Sequence, residues 1–279
     1  MAGIYWLASY PKSGNTWFRA FLRNLRQDGE APVDINELHT GDIASARGWL
    51  DEVLGFDTAD LMPAEVERLR PAVYRWALQD GHIGYHKIHD RYCFTAAGDP
   101  LVSREGTLGA LYIIRNPLDV APSVANHWHC TIDQAIARMG DPRMAMCCSR
   151  TALLPQVRQC VGSWSEHVVS WVDAPGLEVQ VIRFEDMLAA PFATFTRAAA
   201  FLALPQEAGR VDKAIRFSAF RELAQQEEER GFRERPQHSE RFFRRGRSGD
   251  WREQLTAQQI ERIITDHAET MQRFGYLDA

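Results

Sequence analysis

The sequence predicts an α/β fold in three layers, a central and mostly parallel sheet flanked by helices. Three observations predict it. Four short apolar stretches, Gly3 to Ala8, His82 to Ile88, Leu108 to Ile114 and Glu178 to Phe184, are bounded by Gly, Asp or Pro and read as strands. Helical periodicity fills the intervals between them, and strands that alternate with helices imply a parallel sheet covered on both faces. With 279 residues, one folded unit would bury about three quarters of the surface its unfolded chain exposes.

The first strand runs into a loop from Ser9 to Asn15 and then a helix, where Phe18, Phe21, Leu22 and Leu25 recur at helical spacing. Asp28 to Asp80 fits the sheet less well and contains an acidic, helix-prone stretch from Asp51 to Arg70. A second such stretch, Asn126 to Arg150, is rich in Met and Cys. Insertions in open α/β sheets usually sit over the carboxyl ends of the strands, so segments 28–80 and 126–150 are either walls of an acceptor pocket or packing helices. Val157, Val161, Trp164, Val168 and Trp171 form one stripe, predicting a helix over 157–172 that Pro175-Gly176 ends. Pro191 opens another helix carrying Phe192, Phe195 and Leu202. The last helix has Thr256 and Gln259 as a capping box, Ile260, Ile263, Ile264 and Met271 as its stripe, and Gly275 as terminator. With no repeat and no low-complexity tract, residues 1–279 are expected to form a single domain.

Composition narrows the function. The net charge is −5 from 32 basic and 37 acidic residues, which argues against a nucleic-acid or anionic-membrane binder with basic residues over a whole face. An anionic ligand would need a local basic site. Arg230 to Arg247 supplies one, with seven Arg against Glu234 and Glu240. Lysines number only three, Lys12, Lys87 and Lys213. Five cysteines with no C-x-x-C pair suggest neither a disulfide framework nor a zinc ribbon. His127-Trp128-His129-Cys130 lacks a second ligand group at familiar metal spacing. No apolar run reaches membrane-spanning length and no leader precedes the first strand, so a cytoplasmic protein is expected.

The chemistry starts in the first loop, Tyr10-Pro11-Lys12-Ser13-Gly14-Asn15-Thr16-Trp17. A loop leaving a strand and entering a helix aims backbone N–H groups and the positive end of the helix dipole at one spot, where phosphate binds. The magnesium-dependent nucleotide loop needs G-x-x-x-x-G-K-[ST]. Here Lys12 precedes the single Gly14 by two residues and the upstream Gly is missing. A cradle of Lys and hydroxyls without the metal signature suits a sulfate ester.

This loop resembles the 5′-phosphosulfate loop of the cytosolic-type sulfotransferase family, which uses 3′-phosphoadenosine 5′-phosphosulfate. Arg115-Asn116-Pro117-Leu118-Asp119-Val120-Ala121-Pro122-Ser123 resembles the family's 3′-phosphate motif, and Phe243-Arg244-Arg245-Gly246-Arg247-Ser248-Gly249-Asp250-Trp251 its C-terminal R-K-G-x-x-G-D-W segment. Gly162-Ser163-Trp164 to Trp171 and Phe184-Glu185-Asp186-Met187 read like further family landmarks. The resemblance spans most of the chain, is weakest in the two insertions, and implies a P-loop-like α/β fold.

It implies that Lys12, Ser13, Gly14, Asn15, Thr16 and Trp17 hold the donor's 5′ side, while Arg115, Ser123, Arg244, Arg245 and Gly246 grip its 3′-phosphate. A guanidinium with a nearby hydroxyl is a natural clamp for such a group. Trp17 and Phe220 match the positions that stack adenine. Two departures from the family pattern are Arg245, where Lys is usual, and Pro122, which costs little if its helix begins near Leu118 to Asp119.

His86-Lys87-Ile88-His89-Asp90 closes the second strand and resembles the family's K-T-H. Alternation puts Lys87 and His89 on one face and turns His86 away. His89 is thus the expected base, since an unperturbed imidazole is largely neutral at pH 7 and can accept the acceptor's proton. Lys12 would neutralise charge on the breaking sulfur–oxygen bond, with Lys87 assisting. No metal is required.

The expected activity is sulfuryl transfer to a hydroxyl or amine of a small organic acceptor by in-line displacement, leaving 3′-phosphoadenosine 5′-phosphate. A nucleotide-dependent kinase and a catalytically silent nucleotide-binding protein are the alternatives. Arg252 to Glu261 resembles the family's short dimer motif, with Ala257 for Val, and leaves a homodimer open. The acceptor is not specified, and Lys213 has no assigned role.

Overall fold

The computed structural model describes residues 2–76, 81–149 and 151–277. Asp80 and Arg150, where the two insertions end, lie outside the described residues. In chain order the elements are β1 (Gly3–Ser9), α1 (Asn15–Gln27), α2 (Arg47–Leu54), α3 (Pro63–Trp76), β2 (Ile83–Ile88), β3 (Thr107–Ile114), α4 (Pro117–His127), α5 (Ile132–Met139) and β4 (Ala145–Met146). There follow β5 (Gln159–Cys160), α6 (Trp164–Val172), β6 (Val179–Arg183), α7 (Phe184–Ala189), α8 (Pro191–Phe201), α9 (Ala208–Phe217), α10 (Phe220–Arg230), α11 (Trp251–Gln254) and α12 (Ala257–Arg273).

The expected α/β class stands: a mostly parallel central sheet flanked by helices. Its strand order is β2-β1-β3-β6, and β1 pairs in parallel with β2 from Gly3 opposite Ile83 to Ala8 opposite Ile88. All seven residues of β1 are buried, as a parallel strand covered on both faces requires. The chain divides into two compact units, one of residues 1–10, 41–112 and 141–181, the other of residues 11–40, 113–140 and 182–279.

In the first unit Trp6, Trp164 and Trp171 are fully buried core, and Trp6 meets Tyr74 edge-on at 4.9 Å. Arg70 and Asp90 form an ion pair with neither side chain exposed. Both carboxylate oxygens are engaged, at 3.0 and 2.6 Å from the guanidinium, and the Cys160 amide donates a further bond at 2.9 Å. In the second unit α1 and α8 bring Phe21 and Phe195 to 4.3 Å. A separate cluster joins Val33, Ile35 and Leu38 to Leu223, Phe232 and Phe243.

Three expectations are corrected. The stripe over 157–172 is not one helix. Residues 159 and 160 form β5, antiparallel to β4, and the helix starts at Trp164. Gly162 has φ +71°, and Ser163 caps α6 in a reciprocal box with Glu166, so the local chain chemistry cuts the apolar stripe in two. The helix-prone stretch 51–70 is likewise divided, between α2 and α3, where Gly55 takes φ +74° and ends α2. Finally α4 begins at Pro117, after an Asn116 cap, so Pro122 lies inside it. There it removes the donor that would reach the Leu118 carbonyl.

Candidate active site

In the second unit the loop 11–17 has the geometry of an anion cradle. Lys12 has φ +67° and Gly14 φ +106°, left-handed values that turn successive amides toward a common point. A Cβ on Gly14 would come within 2.7 Å of the Phe184 ring, so space as well as φ demands glycine there. The N-terminus of α1 receives no side-chain cap, unlike those of α5, α6 and α12, each closed by a capping box. Among the described residues, the Ser13 hydroxyl, Trp17 Nε1 and Arg115 Nε are buried without a hydrogen-bond partner. Buried polar groups are rarely left so, and several around one loop mark a ligand site.

Arg115 leaves the end of β3 and reaches back to this loop. It donates to the Lys12 carbonyl at 3.1 Å and to the Arg247 carbonyl at 3.3 Å, and its guanidinium carbon stands 4.4 Å from the Phe184 ring centre. Burial draws its pKa down, against the pull of Asp119, Glu185 and Asp250. Trp17 meets the rings of Phe184 and Phe195 edge-on, each at 5.6 Å. The Lys12 ammonium lies 3.6 Å from the centre of the Phe242 ring. Ser123 is half-buried on α4.

The basic run is more nearly neutral than its sequence suggests. Arg245 pairs with Asp250 and Glu253, both at 3.4 Å, and Arg247 pairs with the same two carboxylates. Arg244 is exposed, with its pKa lowered by partial burial and by neighbouring Arg245. Gly246, at φ +59°, lies so close to Phe220 that a Cβ would fall 2.1 Å from the ring.

Sequence reading missed the residues that hold this loop. The carboxylate of Asp119, in the first turn of α4, accepts from the amides of Gly249 at 2.7 Å and Trp251 at 3.1 Å. Glu227 of α10 accepts from the amides of Phe242 and Phe243 at 2.7 and 2.8 Å. Asp119 had a signal, an acid following Asn-Pro at a helix start. Glu227 had none, being one of several acids on a polar helix. Lys213 has a structural role, an ion pair with Asp28 at 2.6 Å.

Lys87 and His89 belong to the first unit. Lys87 sits on β2 opposite Leu7 and is half-buried. His89 follows one residue beyond β2, and its Nδ1 lies 2.8 Å from the Ser9 carbonyl. A carbonyl only accepts, so Nδ1 carries the hydrogen and the neutral ring keeps its lone pair on Nε2. His86 is buried, stacked on Trp49 at 4.6 Å, and donates from Nδ1 to the Asp42 carbonyl at 2.9 Å. Burial lowers its pKa.

A family model described as a sulfotransferase domain matches residues 4–275. The flavonol 3-sulfotransferase of Flaveria bidentis is 22% identical over 275 residues, covering 92% of this chain and 78% of the relative. Cytosolic sulfotransferase 5 of Arabidopsis thaliana is 24% identical, covering 96% and 80% respectively. Among solved structures, a mouse sulfotransferase, SULT7A1, complexed with PAP aligns with a TM-score of 0.59 at 19% identity, covering 99% of this chain and 85% of that one. A retinol dehydratase in complex with androsterone and inactive cofactor PAP aligns with a TM-score of 0.60 at 16% identity, covering 96% and 80%. Matched along nearly its whole length, the chain belongs to the sulfotransferase domain family and is an enzyme of sulfuryl transfer.

Proposed function

We propose that the enzyme moves a sulfuryl group from 3′-phosphoadenosine 5′-phosphosulfate to a hydroxyl or amine of a small organic acceptor, with His89 as general base. The observation that carries this reading is the uncapped N-terminus of α1, with the partnerless Ser13 hydroxyl and Arg115 Nε buried around the same loop. These groups fit an anionic ester. PAP in the two solved relatives supports the same nucleotide here.

When bound, the donor supplies the sulfuryl group and a nucleotide leaving group. Ser13, Gly14, Asn15 and Thr16 hold its 5′ side with backbone amides and hydroxyls. Arg115, Ser123, Arg244, Arg245 and Gly246 take the 3′-phosphate, and the Asp250 and Glu253 carboxylates release Arg245 to it. Trp17 and Phe220 offer faces on which adenine stacks, worth about 1–3 kcal/mol. The Lys12 ammonium offsets charge growing on the bridging oxygen, and Lys87 assists. His89 accepts the acceptor's proton at Nε2, the nitrogen that the Ser9 bond leaves basic. The proposal needs no metal ion.

Calorimetric titration with 3′-phosphoadenosine 5′-phosphate and with ADP tests the donor assignment. The 3′-phosphorylated nucleotide should bind at least about tenfold tighter, as expected for a charge-assisted clamp worth about 1.5–3 kcal/mol. Arg115→Ala should erase most of that preference, whereas equal affinities would favour the kinase reading. Sulfation of a panel of phenols, alcohols and sugars then identifies the acceptor. His89→Ala should lower turnover at least ~100-fold with nucleotide affinity kept, and a fully active variant would reject the base assignment.

A further inference from the structure

Directly behind His89 lies a buried histidine that the proposed chemistry does not use. His167 of α6 is fully buried. Its Nε2 lies 3.1 Å from the His89 carbonyl and its Nδ1 lies 2.8 Å from the Tyr112 hydroxyl. The carbonyl can only accept, so Nε2 carries the hydrogen, Nδ1 keeps the lone pair, and Tyr112 donates to it. Every proton in the chain Tyr112 to His167 to His89 is therefore assigned. Tyr10 closes the ring off from the side, edge-on at 5.5 Å.

The same helix holds the next residue. Trp171, four positions after His167 and so on the same face of α6, donates from Nε1 to the Asp90 carbonyl at 2.9 Å. One helix face thus clamps two consecutive carbonyls just where β2 has ended, while the His89 ring is held from the other side by the Ser9 carbonyl at the end of β1. Burial keeps His167 neutral, with its pKa pushed down to about 3, so this donor does not change state over the working range of pH.

We infer that His167, with its tautomer set by Tyr112, is a positioning residue for the transfer: it holds the His89 main chain so that the imidazole meets the acceptor in the productive orientation. The inference rests on His89 being the base. A misplacement of about 1 Å, made away from the reacting atoms, can cost on the order of 100-fold in rate, whereas a residue that only filled the core would change stability and leave turnover per folded molecule intact.

The test compares wild type, His167→Phe, His167→Gln, Tyr112→Phe and His89→Ala. Turnover and KM are measured with the best acceptor of the hydroxyl panel, nucleotide affinity by calorimetry, and the His89 tautomer by nitrogen NMR of histidine-labelled protein. His167→Phe should lower kcat by about 10- to 100-fold with acceptor KM and nucleotide Kd within about twofold, and should blur the Nδ1-protonated signature of His89. His167→Gln, whose amide can still donate to the carbonyl, should recover most of the rate. Tyr112→Phe removes one hydroxyl from an otherwise unchanged core; if His167→Phe does not fold, this variant carries the test with a kcat loss of the same kind. Wild-type kcat and tautomer signal in the His167 and Tyr112 variants, beside an inactive His89→Ala, would overturn the inference and spare the base assignment. An active His89→Ala would remove both.

Discussion

Asp119 illustrates how a single buried carboxylate can organise a distant segment. It is 3% exposed and accepts two amides from residues 130 and 132 positions away, so its removal strands two half-buried donors. Asp119→Ala should cost about 1–3 kcal/mol in urea unfolding and weaken 3′-phosphoadenosine 5′-phosphate at least several-fold, because Gly249 and the arginines before it lose their anchor. Asp119→Asn, which keeps one acceptor oxygen, should fall between. At this scale the site was legible wherever a residue's role is local. The alternation that separates His86 from His89 can be read from neighbours in the chain, whereas the requirement for glycine at position 14 comes in part from the distant Phe184 ring. The anchor Glu227 could not be found that way, and the place of Asp119 at a helix start did not show which amides it meets, since an acid on a helix looks the same in sequence whether it faces water or a distant amide.

Helix starts were the most legible elements. Thr256 with Gln259 was predicted as a capping box and is one, because the bond needs only four consecutive residues. The same rule explains the error at α6: Ser163 and Glu166 carry the box, but the apolar stripe that begins at Val157 hid it. Periodicity records only which side chains are buried, and residues 157 and 161 are buried although they lie outside any helix. Ser163→Ala should destabilise the protein by about 1 kcal/mol, measured by urea unfolding. The variant should also lower turnover modestly, since α6 carries His167. By contrast α1 has no cap to lose. Gly14→Ala adds a Cβ 2.7 Å from Phe184 at φ +106° and should impair nucleotide binding.

Across the whole molecule, buried histidines set the acid side of the stability profile. Burial holds His167 down to about 3 and His267 to about 4, and lowers His86 as well. Unfolded, each titrates near 6.5, so below that value the unfolded chain binds protons that the folded chain does not. Stability should therefore fall as pH drops from about 6.5 toward 4, by up to about 1.4 kcal/mol per pH unit for each such group. Urea midpoints measured across this window check the slope, and His267→Gln should reduce it by about one proton. The α/β class, the four sheet strands to within a residue or two, the strand-loop-helix start and the family resemblance were legible in the sequence, because each rests on main-chain geometry, periodicity or motif within a short window. Folding alone brought Arg70 to Asp90 and set α6 on the carbonyls of His89 and Asp90. Those depend on which distant groups meet out of water, where a polar group left without a partner costs far more than it does at the surface.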